Sequence, residues 1–176
     1  MAEMTFIPQL VVTDIDGVWT DGGMYYDEQG NELKKFHTYD SAGVLFLRRL
    51  GIPLAICTGE QSKATKRRAE KLKVDYVFEG VTDKLSVISA LCERLHIRLA
   101  HVAYLGDDIN DLALMEKVGL SASPASAPTY VQRRVNLVLN KKGGEGAFRE
   151  FVETMLGERI DEVAGRLSPN AGGPTS

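Results

Sequence analysis

The stretch from Leu10 to Gly22, LVVTDIDGVWTDG, constrains this chain more than any other. It opens as a nearly pure apolar run. Such a run reads as a strand buried on both faces, the setting of a central strand in a parallel sheet. The character then changes abruptly. Asp14 and Asp16 stand two residues apart, and glycines follow at 17, 22 and 23. Residues i and i+2 of a strand point the same way, so two carboxylates leave one side of a strand's end and repel each other. A divalent cation and a phosphate group transferred from a substrate would each resolve that conflict. The plainer reading is a cap or turn, where Asp is common. The position after a buried strand favours a site, because ligands of open α/β sheets bind outside the carboxyl ends of the strands.

Taken in order, the rest of the chain alternates strand and helix signals. Met24–Tyr26 and Glu32–Phe36 flank the turn-forming Asp27-Glu28-Gln29-Gly30-Asn31, a hairpin pattern. A two-stranded hairpin is marginal alone, so it must pack on the body of the chain or on another subunit. Asp40-Ser41 offers a cap for a helix that stops at Gly51. Pro53–Cys57 reads as a buried strand ending in Thr58-Gly59-Glu60, and Ser62 caps a charged helix through Leu72. Asp75–Phe78 is a short strand, Thr82-Asp83-Lys84 opens another helix, and His101–Leu105 is a strand ending in Gly106-Asp107-Asp108. Short elements follow around 112–115, 119–122, 130–133 and 137–139, and a helix spans Ala147–Leu156. The expectation is one α/β domain over residues 1–167. Its sheet is Rossmann-like, mainly parallel and flanked by helices, with a hairpin inserted at about 22–37. The small, polar, Gly- and Pro-rich residues 168–176 are expected to be disordered.

A net charge of −3 and a pI near 5.7 give no electrostatic reason to expect nucleic acid or an anionic membrane as partner. There is no basic segment followed by an apolar one at the amino terminus and no bilayer-length apolar run, so a cytoplasmic protein is expected. Cys57 and Cys92 form neither a disulfide framework nor a zinc motif and read as buried thiols.

Four strand ends carry polar residues: Asp14/Asp16, Thr58, Asp83-Lys84 and Asp107/Asp108. In a parallel sheet these ends share one edge. Together they hold what phosphoryl transfer through an aspartyl-phosphate requires: a carboxylate nucleophile, a second carboxylate, a hydroxyl, an amine and a further acidic pair. Singly, each has a plain reading. Thr58 can start a turn, Lys84 can be a solvated helix lysine, and Asp107-Asp108 can cap a helix. Asp107, Asp108, Asn110 and Asp111 are more than a cap needs, and metal binding explains them better.

In type, order and strand-end placement, Thr13-Asp14-Ile15-Asp16-Gly17-Val18, Thr58-Gly59, Lys84 and Gly106-Asp107-Asp108-Ile109-Asn110-Asp111 resemble the four motifs of the haloacid dehalogenase superfamily of phosphatases. The resemblance spans most of the chain. Gly17–Gly22, the hairpin ending at Lys35-Phe36, and Gly143-Gly144-Glu145-Gly146 are similar to its capless subgroup that acts on phosphorylated ulosonic acids. The resemblance implies a Mg2+ cofactor held by Asp14, Asp16 (through its backbone carbonyl) and Asp107. It implies that Asp14 is the nucleophile and Asp16 the general acid and base. Thr58 and Lys84 would hold phosphoryl oxygens, and Asp108 and Asp111 would support the metal shell. It also implies a homotetramer built on the hairpins, in which a neighbouring subunit helps close a site that has no cap of its own to exclude water.

The substrate implied is a small sugar-acid phosphate. Arg68 and Lys71 lie three apart on the charged helix and can form a clamp for its carboxylate, or simply a solvated face. Thr38, Gly59, Glu60 and Asn110 complete the expected substrate set. By the family pattern, octulosonate enzymes carry Arg after the Thr-Gly of the second motif, whereas nine-carbon enzymes carry Glu there and Lys on the next helix. Glu60 and Lys71 resemble the latter. The expected substrate is therefore 2-keto-3-deoxy-D-glycero-D-galacto-nononate 9-phosphate, with 3-deoxy-D-manno-octulosonate 8-phosphate as the alternative. A phospho-accepting signalling domain fits poorly, because there the acidic pair sits on the first strand and the acceptor on a later one. Trp19 beside the acidic loop reads either as a site wall or as packing.

Overall fold

The computed structural model describes residues 6–165, so the tail at 168–176 lies outside the described residues. Its elements are β1 (Leu10–Thr13), β2 (Tyr25–Tyr26), β3 (Glu32–Leu33), α1 (Asp40–Arg49), β4 (Leu54–Cys57), α2 (Lys63–Leu72), β5 (Tyr76–Phe78) and α3 (Lys84–Leu95). Then come β6 (Val102–Leu105), α4 (Leu112–Met115), β7 (Leu120–Ser123), α5 (Thr129–Gln132), β8 (Leu137–Val138), α6 (Ala147–Leu156) and α7 (Arg159–Gly165).

All four residues of β1 are buried, as its apolar run demands. It lies inside a six-stranded sheet of order β5-β4-β1-β6-β7-β8, in which every pairing is parallel. The two-residue period of β1 splits its side chains between two cores. Val11 joins Ile56, Leu105, Trp19 and Phe148 under α1 and α6. Leu10 and Val12 join Tyr104, Ile88 and Leu114 under α3 and α4. The strand order reverses between β1 and β6. In doubly wound sheets the crevice at such a reversal, beyond the carboxyl ends, is where ligands bind.

The hairpin forms as expected, antiparallel, with Tyr25 opposite Leu33 and Tyr26 opposite Glu32. Its outer residues Met24, Tyr25, Tyr26 and Leu33 are exposed. Among the described residues no helix is long and apolar enough to cross a membrane.

Two details differ from the sequence reading. Asp40 does not cap α1, whose N-cap position is Tyr39 with no side-chain hydrogen bond. Asp40 is fully buried and its Oδ1 accepts the Arg149 N–H at 3.0 Å, at the start of α6. The N-cap of α6 is Gly146, which has no side chain to offer, so the unpaired N–H groups of that helix are met from α1 instead. The second difference is α7, absent from the sequence reading, which seats Val163 and Ile160 on the first core.

Candidate active site

The loop after β1 is fixed from beneath. Val18, Trp19 and Thr20 all aim their N–H groups at the Ile15 carbonyl, at 3.1, 2.8 and 3.2 Å. Trp19 is packing rather than a site wall. It is fully buried against Phe148, ring centroids 4.7 Å apart, and its Nε1 donates to Thr13 Oγ1 at 3.1 Å. Thr13 Oγ1 in turn donates to the Asp14 carbonyl at 2.8 Å. Gly17 turns the loop at φ +80°, and a Cβ there would stand 2.0 Å from Asp107 Oδ2. The loop at Gly143-Gly144 presses on the same turn: a Cβ on Gly143 would fall 1.9 Å from the Gly17 carbonyl oxygen.

Beneath the strand ends lies a buried charge network. Lys84 Nζ sits 2.5 Å from Asp14 Oδ2 and 2.6 Å from Asp111 Oδ1, with both the Lys84 and Asp111 side chains fully enclosed. Tyr104, wholly buried on β6, donates its hydroxyl to Asp111 Oδ1 at 2.5 Å. Asp111 Oδ2 accepts the N–H groups of Asp107 and Asp108 at 2.7 and 3.0 Å. Burial is the largest influence on Asp14 and, with Asp111 adding and Lys84 opposing, leaves its carboxyl pushed up to about 6. Burial works against the Lys84 charge, but Asp14 and Asp111 outweigh it and raise its pKa. Burial, then repulsion from Asp111, Asp14 and Asp108, pushes Asp107 up to about 8.

A raised acid among acids marks a cluster short of positive charge. Asp14, Asp107 and Asp111 each offer a carboxylate oxygen within 4.8 Å of the others. Asp111 already accepts from Lys84, Tyr104 and two N–H groups and is fully enclosed. Asp14, although it accepts from Lys84 and the Ile15 N–H, and Asp107 both border the open cleft, so these two are the carboxylates placed to hold a cation. A hard cation with oxygen ligands fits this set.

Above the network opens a cleft of about 180 Å3 lined by Asp14, Asp16, Thr58, Gly59, Glu60, Asp107, Asp108 and Asn110. A family model for haloacid dehalogenase-like hydrolases matches residues 77–150. The 3-deoxy-D-manno-octulosonate 8-phosphate phosphatase of Escherichia coli (strain K12) is 37% identical over 160 residues, covering 90% of this chain and 85% of that one. The chain belongs to the haloacid dehalogenase-like hydrolases. The enzyme of the same name from Haemophilus influenzae is 36% identical over 148 residues, covering 84% and 82% of the two chains. A crystal structure of the Moraxella catarrhalis phosphatase, in complex with magnesium ion, phosphate ion and KDO, matches with a TM-score of 0.89. It is 33% identical and covers 94% of this chain and 96% of that one. The signalling-domain reading gives way to this family.

Within this hydrolase fold the residues singled out in the four motifs converge: seven of them line the cleft beside Glu60, and Lys84 and Asp111 lie under it. The expected clamp does not form on this chain's own cleft. Arg68 donates to the His37 carbonyl at 3.2 Å and to Ser41 Oγ at 3.0 Å, and its guanidinium lies 5.7 Å from the Phe36 ring centroid. It ties α2 to the first turn of α1 and to the segment before it. Lys71 is exposed, as is Thr38, and neither lines the cleft. Three residues went unnoticed in the sequence. Lys34 reaches from the hairpin to Asp16 Oδ1 at 2.5 Å. Tyr130 donates to Asp108 Oδ1 at 2.6 Å. Tyr104 alone carried a signal, since a tyrosine in a buried strand needs a partner for its hydroxyl.

Proposed function

We propose that the chain is a magnesium-dependent phosphatase of a 2-keto-3-deoxy sugar-acid phosphate, acting through an aspartyl-phosphate on Asp14. The observation that carries this is the enclosure of Lys84 between Asp14 and Asp111 at the floor of an acidic cleft. That cation holds the nucleophile in place and offsets the negative charge that a phosphoryl group brings. Asp14 attacks phosphorus while Asp16 gives a proton to the departing sugar oxygen; Asp16 then takes a proton from the water that releases phosphate and restores Asp14. Thr58 and Lys84 hold phosphoryl oxygens, and Asp108 and Asp111 brace the loop. Asp14, Asp107 and the backbone carbonyl of Asp16 would hold magnesium, which when bound supplies charge against the repulsion between carboxylate and phosphate.

The relatives' names put 3-deoxy-D-manno-octulosonate 8-phosphate first as substrate. The nine-carbon 9-phosphate stands second, on one observation: Glu60, an acceptor for sugar hydroxyls, lines the cleft where the family's octulosonate pattern has Arg. The exposed Met24, Tyr25, Tyr26 and Leu33 support assembly through the hairpin into a homotetramer. In that assembly Thr38, Arg68 and Lys71 can serve at a shared site, and residues 1–167 act as one domain. The cytoplasm is the compartment this chemistry and the buried thiols suit.

The test is phosphate release from the two substrates, with magnesium and with a chelator, read as kcat/KM. Magnesium-dependent turnover of either, abolished in Asp14→Asn, is the expected result. The ratio of the two decides the sugar, and no turnover of either rejects the proposal.

A further inference from the structure

Asp16 follows the strand end by three residues, and little holds its side chain. Thr20 Oγ1 lies 3.5 Å from Oδ1, a weak contact, and Lys34 Nζ lies 2.5 Å from the same oxygen. Asp16 Oδ2 is shielded from solvent and meets no hydrogen-bond donor among the described residues. Lys34 itself has only 2% of its side chain exposed, is absent from the cleft lining, and is also paired with Glu32 at 3.0 Å. A surface lysine ion pair counts for little, but one removed from water is held firmly by its partners.

We infer that Lys34 is a positioning residue for the proton transfers of Asp16: it anchors Oδ1 and so fixes how the carboxyl group is presented to the cleft that Asp16 lines. The inference rests on the acid–base role proposed for Asp16. Because Lys34 is enclosed and off the cleft wall, it acts through Asp16 and not on substrate. It follows directly on Leu33, which is 59% exposed. The hairpin therefore presents an apolar residue outward and a cation inward at adjacent positions, as strand alternation allows.

The experiment compares wild type, Lys34→Met, Lys34→Arg and Asp16→Asn on two esters. A sugar-acid phosphate has an alkoxide leaving group that needs a proton; p-nitrophenyl phosphate does not. In Lys34→Met, kcat on the sugar ester falls about 10- to 100-fold with KM little changed, a part of the usual contribution of a general acid or base. The first-turnover burst of p-nitrophenol persists while its steady state slows, because breakdown of the aspartyl-phosphate still needs the base. Lys34→Arg restores most of the rate. Lys34→Gln gives the same pattern as Lys34→Met and carries the test if the latter folds poorly. Wild-type kcat in Lys34→Met beside an inactive Asp16→Asn overturns the inference alone. A fully active Asp16→Asn overturns the role of Asp16 itself, and with it the inference.

Discussion

Replacing Lys84 with methionine tests the network under the cleft most directly. The substitution keeps the volume and removes a charge that is 2.5 Å from Asp14 and 2.6 Å from Asp111. Two carboxylates then face each other, Asp111 fully enclosed and Asp14 nearly so. Removing one partner of a buried ion pair costs about 3–5 kcal/mol. With a urea m-value near 2 kcal/mol/M, that lowers the unfolding midpoint by roughly 2 M. The loss depends on pH. Even with Lys84 in place, burial holds Asp14 at about 6, above its ordinary 3.8, and without Lys84 it rises further. The folded state then carries more protons than the unfolded one, so stability falls as pH climbs from about 4 through the raised pKa. The deficit of Lys84→Met is therefore largest in alkaline buffer and shrinks by at least about 1 kcal/mol near pH 5. Urea titrations in chelator, followed by fluorescence of the lone, buried Trp19, measure both. A midpoint shift below about 0.5 M at both pH values would refute the reasoning, since it would mean the carboxylates do not depend on Lys84.

Gly143→Ala places a methyl 1.9 Å from the Gly17 carbonyl oxygen and 2.8 Å from that of Thr20. Backbone must move, so stability drops by about 1–3 kcal/mol and kcat/KM falls at least about tenfold as the Asp14–Asp16 turn shifts. Gly165→Ala, which meets nothing within 4 Å, is the control, with melting and turnover as the measurements. Asp40 is pushed up to about 6, first by burial, against the pull of the Arg149 N–H and Arg68. Its folded pKa exceeds the unfolded one, so wild type loses stability as pH rises from about 4 to 6. Asp40→Asn keeps the acceptor and removes that slope, and difference melting curves reach about 2–3 kcal/mol by neutral pH.

The sequence revealed the acidic edge because strand ends in a parallel sheet are local features. An apolar run followed by Asp, Thr or Gly-Asp-Asp announces itself within a few residues, and those residues do line one cleft. What stayed hidden depended on contacts between distant segments. Asp40 looked like the cap of its own helix, but its partner is the N–H of Arg149. Arg68 and Lys71 have clamp spacing, yet spacing does not say how a helix is rolled. With Thr65 and Ala69 turned inward, Arg68 is drawn to Ser41 while Lys71 faces solvent. Lys34 was one charge in a polar hairpin until the hairpin folded back over the loop after β1. The helix at Arg159–Gly165 is short and follows a break at Gly157, so its two apolar positions made too weak a pattern to read.

The place of β1 in the sheet has a bearing on how the chain becomes itself. Its neighbours β4 and β6 lie about 40 and about 90 residues further along. During synthesis this wholly buried strand emerges before both of its neighbours and waits with both edges open. Loop closure over such spans has to precede any gain from pairing, and waiting strands invite mispairing. A truncated chain ending before Val102 has Asp14 but only half its cradle. Competence thus arrives late, when β6 docks and brings the second acidic turn with it.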